Sequence, residues 1–205
     1  MGGSSMNTNM FRFGFVLLLA GVTPPSYAQE IAYADLGQVT DTYAIYSLLL
    51  TNPTTAGLDT NERYLIAPTT VPGDPGILCV EPPKGREAEF KEVLADYDKR
   101  KNTPFPLKPL LHITERYVIL TEEDVKAFSN ERLVGSKNKP SDERFRGVTH
   151  LFRLGDVYFN PQRTLALVQL STWCGSLCGR WDWRVFEKVD GKWEERHWVR
   201  CGAVS

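Results

Sequence analysis

The sequence has almost no net charge, few imidazole and sulfur groups, and no long apolar run beyond its N-terminal segment. Its 24 Lys and Arg are set against 25 Asp and Glu, for a net charge of −1. That balance removes the electrostatic footprint of a nucleic-acid binder, which is a basic domain with clustered cations. No nucleic-acid partner is expected. The acidic signature of a solvating tail is missing as well. A spanning helix needs roughly 20 apolar residues, and nothing after the N-terminal segment offers them, so no membrane span is expected once that segment is removed. The three histidines, His112, His150 and His197, stand singly without HxxxH or HxH spacing, and neither a metal nor a cofactor is expected. There is no GxxxxGK[ST] or GxGxxG to cradle a nucleotide phosphate, and no GxSxG to present a nucleophile.

What is there is the composition of a foldable chain: 205 residues, 42% hydrophobic and 24% charged. That length suits a single domain. The N-terminus has the order of a secretory signal peptide. One cation, Arg12, precedes an apolar run from Phe13 to Val22, then the breakers Thr23-Pro24-Pro25 and a small-x-small site, Ser26-Tyr27-Ala28. This is the n-region, h-region and cleavage-site pattern. The expectation is a signal over residues 1–28, a secreted or periplasmic location, and one α+β domain over residues 29–205.

All four cysteines, Cys79, Cys174, Cys178 and Cys201, follow that segment. An even count in an exported chain argues for disulfides. Four cysteines allow three connectivities, and the sequence selects none of them. The favoured pairing is Cys174–Cys178, closing a glycine-flanked turn, with Cys79–Cys201, tying the early half to the last strand.

Hydrophobic spacing places the elements. Val39, Tyr43, Tyr46, Leu49 and Leu50 form a helical stripe, and so do Phe90, Val93, Leu94 and Tyr97. Residues 62–70 and 112–120 read as strands. Thr121-Glu122-Glu123-Asp124 resembles a capping box that opens a short helix through Val125 and Phe128. Residues 130–146 read as a polar surface loop. From residue 149 the pattern is β: strands over 151–159, 164–173, 181–189 and 192–201. The all-apolar stretch Leu165 to Val168 suits a central strand covered on both faces. Asp190-Gly191 predicts a type I′ hairpin. The expected fold is two or three amphipathic helices, in the half spanning about 29–130, packed on a mainly antiparallel sheet. That sheet ends in a four-stranded meander over about 149–202.

The stretch VYFNPQRTLALVQLSTWCGSLCG followed by VFEKVDGKW resembles an uncharacterised family of exported bacterial proteins with a CG-x-LCG turn in a C-terminal β-meander. The YAIYSLLL, EVLADYDKR and YVIL-TEED segments fit the same pattern. The resemblance implies a secreted domain and a paired CxxxC turn, here Cys174 and Cys178. It implies no known activity and supplies no catalytic residues. This chain has Trp181-Asp182-Trp183 where that pattern has small or tyrosine residues.

No catalytic constellation stands out. Ser176 sits in turn chemistry. His150 and Asp156 have a spacing that lets them share a strand face and nothing more. Glu122, Glu123 and Asp124 suit a helix N-terminus, where negative charge meets the macrodipole. Glu194 and Glu195 point to opposite faces of a strand. Tryptophan placement is more informative. Trp173, Trp181, Trp183, Trp193 and Trp198 all fall near the C-terminus, interleaved with Arg180, Arg184, Arg196 and Arg200. Trp181 and Trp183 share strand parity, so they are expected to present two rings on one face. Flanked by Arg180 and Arg184, those rings make a candidate binding strip for a glycan or a protein partner. The competing expectation is that the rings pack over the disulfide and beneath the helices, with arginines stacked on their edges. The leading functional reading is a non-catalytic binding module of the cell envelope or exterior. The alternatives are a hydrolase of envelope material and a thiol-redox or metal-binding protein.

Overall fold

A computed structural model describes residues 36–51, 63–73, 80–114, 116–133, 142–175 and 178–204. The expected signal segment, Cys79 and Ser176 lie outside the described residues. Three helices, α1 (Leu36–Thr51), α2 (Glu87–Arg100) and α3 (Glu122–Leu133), accompany six strands. The strands are β1 (Tyr64–Ile66), β2 (Tyr117–Ile119), β3 (Leu151–Phe159), β4 (Leu165–Gly175), β5 (Cys178–Val189) and β6 (Lys192–Val204). They form one sheet in the order β2-β1-β3-β4-β5-β6. β1 runs parallel to both β2 and β3, and the remaining pairs are antiparallel. The fold is α+β with a C-terminal four-stranded meander, and Asp35–Ser205 is one compact unit.

The helices cover both faces of the sheet. Tyr43, Ile45, Tyr46, Leu49 and Leu50 of α1 pack on Ile66, Phe152, Leu154, Val157, Ala166, Val168 and Phe186. The opposite parity, Tyr158, Leu165, Leu167, Trp183 and Val185, lies under Phe90, Val93 and Tyr97 of α2. On the same side α3 sets Val125 and Phe128 against Leu65 and Leu151. Leu165 to Val168 are therefore all buried, as a strand sandwiched between helices requires. Helix α1 is enclosed on a second side by the segment 105–113. Tyr43 Oη accepts from the Lys108 N–H at 2.6 Å, and Ser47 Oγ accepts from the His112 N–H at 2.9 Å.

Several local signals have the physical form expected of them. Thr121 Oγ1 accepts from the Asp124 N–H at 3.1 Å while the Asp124 carboxylate accepts from the Thr121 N–H at 3.4 Å, a reciprocal capping box. Asp190 and Gly191 have φ of 48° and 77°, both in the left-handed region that a type I′ turn needs. Three expectations need correction. Among the described residues, the stretches 62–70 and 112–120 contribute strands of only three residues each, because their flanks turn away to cover α1 and the edge of β3. The supposed surface loop 130–146 begins as the last turn of α3. It also contains Phe145, whose ring is buried edge-on against Phe128 at 5.4 Å.

The open half of β3 is held by charge. Beyond Phe152 the strand loses β1 as a neighbour, apart from a bridge between Val71 and Gly155. A bulge follows: the register passes from Leu154↔Leu170 to Val157↔Val168, so Gly155 and Asp156 face one residue of β4. Arg100 of α2 donates to the Val157 carbonyl at 2.6 Å, and Asp96 accepts from the Phe159 N–H at 2.9 Å. The two side chains pair with each other at 2.5 Å, and Arg100 also pairs with the buried Asp156. Tyr46 Oη donates to the Gly155 carbonyl at 2.8 Å from α1. Side chains of both helices thus satisfy an edge that would otherwise offer unpaired N–H and C=O groups to another chain.

Candidate functional site

The four residues expected to form a binding strip do not share one environment. Trp183 is 1% exposed. Its ring lies edge-on to Tyr97 at 5.8 Å and tilted to Tyr158 at 6.3 Å. Gly73 is close above it: a Cβ there would meet Tyr97 Cε2 at 2.6 Å and Trp183 at 3.1 Å. Trp183 is therefore a core residue beneath α2, and the expected two-ring surface strip is corrected on this point. Parity was read correctly, since both indoles face α2, but the helix stops short of Trp181. Trp181 is half-buried at the rim of that cluster.

The other tryptophans follow the packing expectation in different degrees. Trp193 is buried, donates Nε1–H to Asp41 at 2.8 Å, and lies under the Lys188 ammonium at 4.7 Å. Trp198 lies beneath the Arg86 guanidinium at 5.0 Å and beside Phe90. Trp173 lies edge-on to Phe128 at 6.1 Å. Stacked cations of this kind contribute about 0.5–2 kcal/mol each.

Arg180, Asp182 and Arg184 have the opposite parity on β5. Arg184 sits at a large irregularity, because the register passes from Trp183↔Cys201 to Val185↔Arg196. One residue of β5 thereby faces the four-residue excursion 197–200 in β6. The Arg184 guanidinium pairs with Asp182 and, at 2.5 Å, with Glu195. Burial disfavours its charge, but the Glu195 hydrogen bond and the two carboxylates outweigh that and raise its pKa. Arg180 is more open, with its Nε 3.5 Å from Asp182. Gly202 opposes Asp182, and a Cβ there would fall 2.4 Å from the Trp181 carbonyl oxygen. Glycine is what lets β6 lie this close to β5.

Two hollows meet at this end of the sheet. The larger, about 540 Å³, is lined by Arg180, Trp181, Asp182, Arg184, Glu195 and His197 among others. The smaller, about 280 Å³, includes Arg153, Ser171, Trp173, Arg180 and Trp181. Arg180 and Trp181 border both. Arg153, Ser171, Trp181 and Ala203 form one cross-strand row, β3 to β6, on the face that α2 and α3 leave open between them. Sequence reasoning missed Arg153. Its signal was the one cation in a mainly apolar strand, LFRLGDVYF. The lining offers the Trp181 indole in the same cross-strand row as the Arg153 guanidinium, with Arg180, Asp182 and Arg184 at the opposite parity of β5. Such a surface recognises planar or hydroxylated groups bearing negative charge. One guanidinium holds both Asp182 and Glu195.

The remaining candidates are dispersed. Glu122, Glu123 and Asp124 occupy the first turn of α3. Glu194 pairs with Arg196 at 3.2 Å, away from the Glu195–Arg184 pair. His112 lies in the segment over α1, and exposed His197 stands 3.8 Å from Glu195. Arg200 carries no described side chain. Cys174 and Cys178 form a disulfide across the β4–β5 hairpin with Cα atoms 5.1 Å apart. Cys201 is buried and disulfide-bonded, and its expected partner, Cys79, lies outside the described residues. Among the described residues no helix is long and apolar enough to cross a membrane. No family model, no curated protein and no solved structure matches the chain.

Proposed function

We propose that the protein is an exported, non-catalytic binding module that holds an acidic glycan of the cell envelope at the β5–β6 end of its sheet. The observation that carries this reading is Trp181, a half-buried indole that lines two adjoining hollows, which Arg180 also lines, with Arg153 lining the smaller. An indole stacks on the apolar face of a sugar ring, and arginine forks take carboxylate or phosphate substituents. The signal-like segment 1–28 and the Cys174–Cys178 disulfide support an oxidising, extracytoplasmic location. The Arg184 guanidinium, paired with Asp182 and Glu195 at the larger hollow, adds charged groups to that surface.

The test is retention of the purified chain on insoluble peptidoglycan, a carboxylate-bearing glycan, beside neutral chitin. Retention on peptidoglycan is expected to weaken with salt and to fall about tenfold in Trp181→Ala and Arg153→Ala. Equal retention of both variants would sink the proposal. So would binding to chitin alone, or recovery only of a protein partner.

A further inference from the structure

The disulfide has a third potential metal ligand beside it. His150 precedes β3, and the register Leu151↔Trp173 brings it across from Cys174. Trp173↔Gly179 and Gly175↔Cys178 then bring Cys178 to the same end of the sheet. A ring nitrogen of His150 and the sulfurs of Cys174 and Cys178 all lie within 4.8 Å of one another. The Thr149 hydroxyl stands 2.6 Å from His150 Nδ1, a contact that orients the ring as outer-shell partners orient metal-ligating histidines. His150 and Cys174 are half-buried and Cys178 is exposed, so the cluster is anchored on one side and open to solvent on the other.

We propose that these three residues form a redox-gated site for a borderline-soft divalent cation of the zinc class. As a disulfide, Cys174 and Cys178 are poor ligands. A dithiol reductant supplies two electrons and two protons. It breaks the S–S bond, becomes a disulfide itself and leaves two thiols on the protein. Binding of the cation then releases both thiol protons and forms two metal–thiolate bonds and one metal–imidazole bond. Zinc–sulfur bonds of about 2.3 Å set the two sulfurs about 3.7 Å apart in a tetrahedron. A hairpin-end pair with Cα atoms 5.1 Å apart reaches that span by side-chain rotation. The solvent side of Cys178 leaves the fourth position to water or an external ligand. The oxidised site is closed to metal and the reduced site open to it.

Cobalt(II) is the spectroscopic probe, with zinc as competitor. The full chain, reduced anaerobically and freed of reductant, is expected to bind one cobalt with a thiolate-to-metal charge-transfer band that zinc abolishes. The oxidised chain is expected to show no band. His150→Ala should weaken the reduced site about tenfold or more. The double variant Cys174→Ser/Cys178→Ser, which keeps Cys79 and Cys201, should lose the band. Equal binding by the double variant or by His150→Ala overturns the proposal, as does a reduced, folded chain without a band. If full reduction unfolds the chain, Cys174→Ser purified without reductant frees Cys178 alone and leaves the disulfide of Cys201 intact. It should bind zinc more weakly than a three-ligand site, and adding His150→Ala should abolish that binding. Indifference to His150 there also overturns the proposal.

Discussion

Among the arginine–carboxylate networks of the described residues, two are centred on an irregularity in a strand, and they differ in what lies beside them. At the β3 bulge, Arg100 lies between Asp96 and Asp156 and satisfies the strand edge. At the β5–β6 irregularity, Arg184 lies between Asp182 and Glu195. Tyr46, Tyr97 and Tyr158 enclose the first network, and the Arg100 guanidinium stands 5.1 Å from the Tyr158 ring centroid. The second borders a hollow of about 540 Å³. The same chemical triad therefore does two jobs. At β3 it substitutes for a missing strand. At β5–β6 it holds Asp182 and Glu195 on one guanidinium at the border of the larger hollow.

The largest expected effect comes from breaking the enclosed network. Arg100→Ala leaves Asp156 buried without its partner and uncovers the Val157 carbonyl. A loss of about 3–5 kcal/mol is expected, as for a buried pair broken on one side, measured by urea unfolding. A loss below about 1 kcal/mol would mean that the strand edge does not depend on this pair.

Next in size is the contrast between the two indoles. Trp183→Ala should cost about 3–5 kcal/mol, the range for a large aromatic removed from a core. Trp181→Ala, at the rim, should cost clearly less. Comparable losses would place both rings in the core and remove Trp181 from the binding surface.

A smaller effect separates the networks by pH. Burial pushes the Asp156 carboxyl up to about 6, against the attraction of Arg100. The folded chain then holds a proton that the unfolded chain has released, between about pH 4 and 6. The Asp156 contribution to stability is accordingly greatest below that window and lost as pH rises through it. Unfolding measured at pH 7 and pH 5 should show wild type gaining stability on acidification relative to Asp156→Asn. The opposite slope would mean that the Arg100 attraction dominates burial.

Much of this fold was legible because its signals are local. The capping box at Thr121, the Asp190-Gly191 turn and the apolar spacing in α2 each depend on a few neighbouring residues. The missed features depend on register and coverage. Parity correctly put Trp181 and Trp183 on one face, but only the placement of α2 shows that one ring is enclosed and the other is not. Phe145 was hidden among polar neighbours because its partner, Phe128, belongs to a different element. His150 looked solitary for a related reason. Counting back through the β3–β4 hairpin without the bulge would set it opposite Gly175. The extra residue at Gly155-Asp156 brings it to Cys174, and the glycine inside the strand is the local mark of that bulge. Arg153 was the most readable omission, as a cation inside a mainly apolar strand.

The most direct test of the contrast between the two networks is a paired measurement on Arg180→Ala, combining retention on peptidoglycan with urea unfolding. Arg180 borders both hollows, and its side chain is partly open to solvent. The account predicts unfolding within about 0.5 kcal/mol of wild type, as for a surface substitution, with retention reduced about tenfold. Wild-type retention with unchanged stability would contradict it, and would leave the Arg184 network with no ligand to serve.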